Sequence, residues 1–231
     1  MATLTLDTLD GTNQFTAYRA DPAETPRAAI VVIQEIFGVN AGIRSKCDRL
    51  AEQGYLAIAP DLFWRIAPGV DLDPDVPEEM QRALDLMGQF DQAAAIADIE
   101  ATIRFAQRLV SGGKVGAIGF CLGGRLAYMT AARTDVDASV GYYPVGIDAL
   151  LDEKHAIAKP LMLHIAGADH FVPAEVQAAM HAGLDDHPRV TLHDYPGEDH
   201  GFATERGNRR SDAAARLADD RTAAFLAQAL A

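Results

Sequence analysis

The sequence predicts an α/β fold, with a mostly parallel central sheet, helices on both faces and an N-terminal antiparallel hairpin. Three observations predict it. Continuous apolar runs, such as 28–33 and 55–59, read as strands buried on both faces. Stretches with helical spacing separate those runs, as parallel crossovers require. The 231 residues, 49% hydrophobic and 23% charged, suit a single domain spanning 1–231 with a sizeable core.

The elements follow in order. Residues 3–8 and 14–19 alternate apolar and polar side chains around Asp10-Gly11, which predicts a hairpin. The buried strand 28–33 leads into a helix over 41–53, stopped by Gly54. Strand 55–59 closes at Pro60. The prolines and aspartates of 60–80 predict a loop. Ile96, Ile99, Ile103, Ala106 and Val110 recur at helical spacing and predict a helix over 91–110, ended by Gly112-Gly113. Strand 114–118 is followed by Gly119-Phe120-Cys121-Leu122-Gly123-Gly124 and a helix over 125–132. Strands at 138–143, 161–166 and 189–195 then alternate with a helix at 174–184, and a helix over 211–230 closes the chain.

Composition narrows the function classes. A formal net charge of −13 argues against nucleic acid or an anionic membrane as partner. Cys47 and Cys121 form no paired spacing, so the expected compartment is reducing and the protein cytoplasmic. No apolar run of membrane-spanning length occurs. The seven histidines show no metal-ligand spacing. The chain is expected to work as a monomer on a small molecule, without metal or cofactor. Cys47 and His164 read as packed core residues.

The chemistry collects at strand ends, where open parallel sheets place their sites. Strand, Gly-x-Cys-x-Gly-Gly, helix is the context of a nucleophile elbow, with cysteine in place of serine. The glycines allow the sharp turn, and the helix start favours a thiolate. Asp169 follows strand 161–166, and His200 follows strand 189–195. Nucleophile, acid, base is the chain order of α/β-hydrolases. Cys121 would attack a carbonyl, His200 take its proton, and Asp169 orient the imidazole. Asp199 and Glu198 are alternative imidazole partners, and His170 an alternative helix cap. The N–H groups of Leu122 and Ile36 would hold the oxyanion. Glu35, directly after a buried strand, needs a partner; the expectation is that it gates ionisation of Cys121. Trp64, Phe37, Tyr143, Phe171 and Phe202 are expected to line the substrate pocket.

Together, Gln-Glu-Ile-Phe-Gly-Val-Asn at 34–40, Ala-Pro-Asp-Leu at 59–62, Gly-Phe-Cys-Leu-Gly-Gly at 119–124, Gly-Tyr-Tyr at 141–143, Asp-His-Phe-Val-Pro at 169–173 and His-Gly-Phe at 200–202 resemble the dienelactone hydrolase family. The resemblance covers essentially the whole chain. It implies an α/β-hydrolase domain with a Cys-His-Asp triad and no cofactor. It also implies opening of an enol-lactone such as 4-carboxymethylenebut-2-en-4-olide to maleylacetate, in aromatic degradation. The family holds the substrate carboxylate with two arginines; the matching positions here are Met80 and Thr204, with Arg82 and Arg206 nearby. An esterase or thioesterase for a less polar acyl group therefore stays open, as does a non-catalytic or redox-sensing binding protein on the same scaffold.

Overall fold

The computed structural model describes residues 2–110 and 112–231. The chain divides into two compact units, one running to Gly116 and including Glu205–Asn208, the other comprising Ala117–Thr204 and Arg209–Ala231.

The first unit carries strands in the order β1-β2-β4-β3. Strand β1 (Ala2–Asp7) runs antiparallel to β2 (Gln14–Ala20), with Leu6 opposite Phe15. Alternation buries Phe15 and Ala17 while their neighbours face out. Strand β2 is also antiparallel to β4 (Tyr55–Pro60), whereas β4 is parallel to β3 (Ala28–Ile33), with Ile30 opposite Ala57. Every residue of β3 and β4 is buried, as their apolar runs predict. Helix α1 (Ala41–Glu52) starts where the Asn40 side chain accepts the Ile43 N–H at 3.1 Å. Gly54 follows it at φ +87°, the left-handed stop that glycine supplies.

The stretch expected to be loop to residue 80 gives way earlier to helix α2 (Pro77–Met87). Pro77 stands in the first turn, where its fixed φ fits and no donor is lost, and Glu78 and Glu79 face the positive end of the helix. The proline that reads as a breaker is therefore a starter. Helix α3 (Gln92–Gln107) is capped by Asp91, which accepts from the Ala93 and Ala94 N–H groups.

Strand β5 (Val115–Phe120) begins in the first unit and ends in the second. There α4 (Leu122–Arg133), β6 (Ala138–Tyr142), a 3-10 helix (Asp148–Ala156), β7 (Leu161–Ala166), α5 (Ala174–Leu184), β8 (Val190–Tyr195) and α6 (Asp212–Ala229) follow. Strands β6, β7 and β8 are parallel neighbours, and His164 of β7 lies between Tyr142 and His193. Helix α6 buries Ala214, Ala215, Ala218, Thr222 and Leu226, one stripe at helical spacing. A mostly parallel sheet with an antiparallel N-terminal hairpin and intervening helices is the α/β-hydrolase fold.

Close backbone packing fixes the turn from β5 into α4. A Cβ on Gly119 would lie 1.8 Å from the Gly123 carbonyl oxygen, and one on Gly124 would lie 2.7 Å from that of Tyr142. Neither obstacle is a flexible side chain. Gly119→Ala should therefore destabilise the protein by about 3 kcal/mol or more. The check is a denaturant melt, and an unchanged midpoint would contradict this packing.

Candidate active site

Cys121 sits between β5 and α4 with φ +57° and ψ −114°, a conformation unusual for a residue with a Cβ. Its N–H donates to the Tyr142 carbonyl at 3.0 Å, and its own carbonyl accepts from Arg125. The side chain is partly exposed, while Cys47 is fully buried and its thiol pKa pushed up by burial. The Leu122 N–H is the first of α4 and lacks a helical acceptor by position.

His200 and Asp169 stand in the same unit, buried at 3% and 5% exposure. His200 Nδ1 lies 2.8 Å from Asp169 Oδ2, and Asp169 Oδ1 accepts the Phe171 N–H at 2.8 Å. The carboxylate accepts, so Nδ1 carries the proton and Nε2 is the nitrogen left for chemistry. Two Asp-His pairs in the sequence bond crosswise here. Asp169 takes His200, while Asp199 Oδ1 accepts from the His170 ring at 2.8 Å and from the His200 backbone N–H at 2.6 Å. Asp199 thus joins the two loops, a role the sequence reading did not assign; the repeated Asp-His was its signal.

The electrostatics favour an imidazolium. Burial lowers the His200 pKa, but the charge of Cys121, then the bond to Asp169, outweigh it and raise the value to about 10. Among the described residues no atom meets full hydrogen-bond geometry at Nε2, and the larger part of the Cys121 influence is Coulombic. Asp169, His170 and Asp199 also bring ligand-type atoms within 4.8 Å of one another. In each residue such atoms already serve the crosswise bonds, which accounts for the cluster without an ion.

Aromatic side chains surround His200. The rings of Tyr143 and Phe171 each stand edge-on to it with centroids 4.9 Å away. Phe171 is 52% exposed, while Tyr143 and Phe202 are buried and in mutual contact. Thr204 is buried in this unit.

The remaining expected residues belong to the first unit. Glu35 is buried directly after β3, and Ile36 is half-buried. Phe37 lies in an apolar cluster with Phe63, Val70, Leu72, Ala83 and Leu86, against which Ile36 and Met80 pack. Trp64 stacks on Phe15 and donates from Nε1 to Asp98 at 2.9 Å. Arg82 is exposed on α2, and Arg206 donates from Nε to Ser45 Oγ at 3.2 Å.

Residues 15–230 match the model of the dienelactone hydrolase family. The chain is 40% identical to the carboxymethylenebutenolidase of Pseudomonas putida over 225 residues, covering 97% of this chain and 95% of that one. It is 47% identical over 219 residues to an Azospirillum brasilense protein that bears the same name provisionally, covering 94% of each. Among solved structures, a provisionally named dienelactone hydrolase of Klebsiella pneumoniae superposes with a TM-score of 0.83 at 27% identity, covering 99% of this chain and 100% of that one.

Because the His200 pKa is raised, the charged form persists through neutral pH. Its stabilising contribution is fully present below the ordinary value near 6.5 and is lost as pH rises through about 10. NMR titration of the ring should show the transition near that upper value. In Cys121→Ser the transition should fall, because the largest raising influence is gone. An unchanged transition in the serine variant would refute the coupling.

Proposed function

From the premise that this chain belongs to the dienelactone hydrolase family, and is thus a hydrolase of ester (lactone) bonds, we propose that it works through a cysteine-bound acyl intermediate. One observation carries the reading: a partly exposed thiol on a strained turn shares a unit with a buried histidine whose Nδ1 is held 2.8 Å from the buried Asp169 carboxylate.

The chemistry follows from the atoms. The imidazole of His200 takes the Cys121 proton, giving a thiolate–imidazolium pair whose cation Asp169 stabilises. The sulfur attacks the lactone carbonyl, and charge developing on its oxygen meets the Leu122 N–H at the start of α4. The acyl–oxygen bond then breaks, leaving a thioester on Cys121 and an enolate on the ring-opened chain. Conjugation spreads the enolate charge, so a thiolate suffices as nucleophile and little help is needed for departure. His200 passes the Cys121 proton to the enolate and returns to the neutral imidazole. It then deprotonates a water that attacks the thioester, releasing the acid and restoring the Cys121 thiolate beside the imidazolium. Ile36 as second oxyanion donor and Glu35 as proton acceptor or gate are further parts of this proposal.

The proposed substrate is an enol-lactone of the 4-carboxymethylenebut-2-en-4-olide type, opened to maleylacetate. Thr204 and Met80 favour weighing a second substrate class. These positions match the family's arginines, yet one holds a buried hydroxyl and the other packs on an apolar cluster. A less polar activated ester is the corresponding alternative.

Cys121→Ala should lose turnover by at least about a thousandfold, the scale of removing an activated nucleophile. Mass spectrometry of the quenched wild type should find the acyl group on Cys121; activity retained in the alanine variant would eliminate the mechanism. A panel of enol-lactones with and without a carboxylate, run on wild type, Arg82→Ala and Arg206→Ala, tests the substrate. Preference for carboxylated members, reduced in either variant, supports the enol-lactone. No preference favours the apolar ester, and no hydrolysis of any member favours a binding protein. Glu35→Gln with unchanged thiol reactivity and turnover would remove the gate.

A further inference from the structure

We propose that a buried chain of hydroxyl groups and one histidine, running from β8 through β7 and α6 to β6, positions the Cys121 elbow from behind. This rests on the reading of Cys121 as the reactive thiol.

Four side chains, each at most 5% exposed, form the chain. His164 Nδ1 lies 2.8 Å from Tyr195 Oη, and Nε2 lies 2.9 Å from Thr222 Oγ1. Thr222 Oγ1 lies 2.7 Å from Tyr142 Oη, which also donates toward Asp219 Oδ1 at 3.2 Å and the Ala218 carbonyl at 3.4 Å. The pairings join residues up to 80 positions apart. They are far more than a buried histidine needs for satisfaction.

The proton order can be worked out from the two ends. A carboxylate and a carbonyl only accept, so the single Tyr142 proton points to Asp219 and Ala218. Thr222 then donates to Tyr142 Oη and accepts from His164 Nε2–H. His164 Nδ1, left as the acceptor, takes the Tyr195 proton. Arg221, beside the Tyr195 ring, offers only donors, which suits a phenol oxygen free to accept from it. Protonating His164 would set two donors facing each other at Tyr195. The groups around His164, namely Tyr142, His193, Tyr195 and Thr222 with Arg221 and Asp219 beyond, thus favour the neutral ring with its proton on Nε2.

Tyr142 conveys this order to the elbow. Its ring stacks on Phe120 at 4.8 Å, and its carbonyl accepts the Cys121 N–H. The next residue, Tyr143, is held at φ +37°, donates its N–H to the His164 carbonyl at 2.8 Å, and sets its ring against His200. A shift of the Tyr142 side chain therefore moves both the sulfur and the histidine. Tyr142, His164 and Thr222 are positioning residues; none touches the reacting atoms.

Two measurements on the full-length protein test this. Thr222→Val keeps the shape and removes the hydroxyl. Its iodoacetamide alkylation of Cys121 at neutral pH should slow about tenfold and its kcat for an activated lactone fall similarly, with KM within about twofold, because small misplacements cost rate more than binding. Thr222→Ser should restore both. Tyr142→Phe serves if the valine variant does not fold. A lower melting temperature with an alkylation-rate profile matching wild type across pH would reduce the chain to scaffolding and overturn the proposal. In the second measurement, ring-nitrogen NMR should show His164 protonated on Nε2; the opposite tautomer or an imidazolium would overturn the proton order. If wild-type alkylation does not depend on Cys121, with Cys121→Ser as control, the nucleophile reading fails instead, and the tautomer still decides the order of the chain.

Discussion

The constraint on which the second unit depends is a backbone one. Cys121 holds φ +57°, which costs an L-residue about 1–3 kcal/mol. Such strain persists only where the surroundings leave no relaxed alternative. Here β5 arrives from below, α4 departs at once, and Gly119 lies against Gly123 with no room for a methyl group. The Tyr142 carbonyl anchors the Cys121 N–H, and Gly124 lets the two backbones approach closely enough for it to do so. Relaxing the cysteine would require breaking contacts among β5, α4 and β6 together. The cost of the turn is thus offset by packing spread across a buried layer, and the product of that expense is a sulfur held clear of the sheet.

The charges answer to the same geometry. Two aspartates lie beside His200, and their division of labour is physical. Asp169 is buried and reaches the imidazole with one oxygen while its other is held by the Phe171 N–H. Asp199 is 58% exposed at its side chain. Burial, the largest single influence, raises its carboxyl pKa, but the bonds it accepts from the His170 ring and from the His200 and His170 backbone N–H groups together outweigh it and hold the carboxyl below the usual range. A buried carboxylate keeps its full field on the imidazole, whereas an exposed one is screened. Orientation therefore falls to Asp169, and holding the loops together falls to Asp199.

Much of this was legible in the sequence. Strands β3 and β4 announce themselves as unbroken apolar runs, because burial on both faces favours apolar side chains. Cys121, Asp169 and His200 could be placed because each follows a strand, where chemistry gathers in such sheets. The start of helix α2 was hidden in the residue pattern, because Pro77 would end a helix in the interior but begins one in the first turn; the family resemblance alone points to a helix near 78–88. The 3-10 helix at Asp148–Ala156 lacks a strong apolar stripe, burying only Leu150. The choice of Asp169 over Asp199 was open, since two identical Asp-His pairs differ only in where tertiary structure puts them. For Trp64 the sequence offers an aromatic after a strand; that its N–H would be engaged by Asp98, on a helix 34 positions later, is a fact of packing.

His164 shows where sequence reasoning stops and why. A histidine in an apolar strand reads correctly as a satisfied core residue, and it is fully buried with both ring nitrogens bonded. Satisfaction alone, however, would need only a carbonyl and a hydroxyl close by. The partners here come from β8 and α6, and the carbonyl of His164 itself supports Tyr143. A buried polar group costs free energy unless every bond is made, so a chain of four such groups is stable in few arrangements. That intolerance makes it a better ruler than apolar packing, which yields by small repacking. On the proposal that Cys121 is the nucleophile, its strained turn would benefit from such a ruler behind it, because strain relaxes through the softest neighbour and the hydroxyl chain ties β6 to β7 and α6.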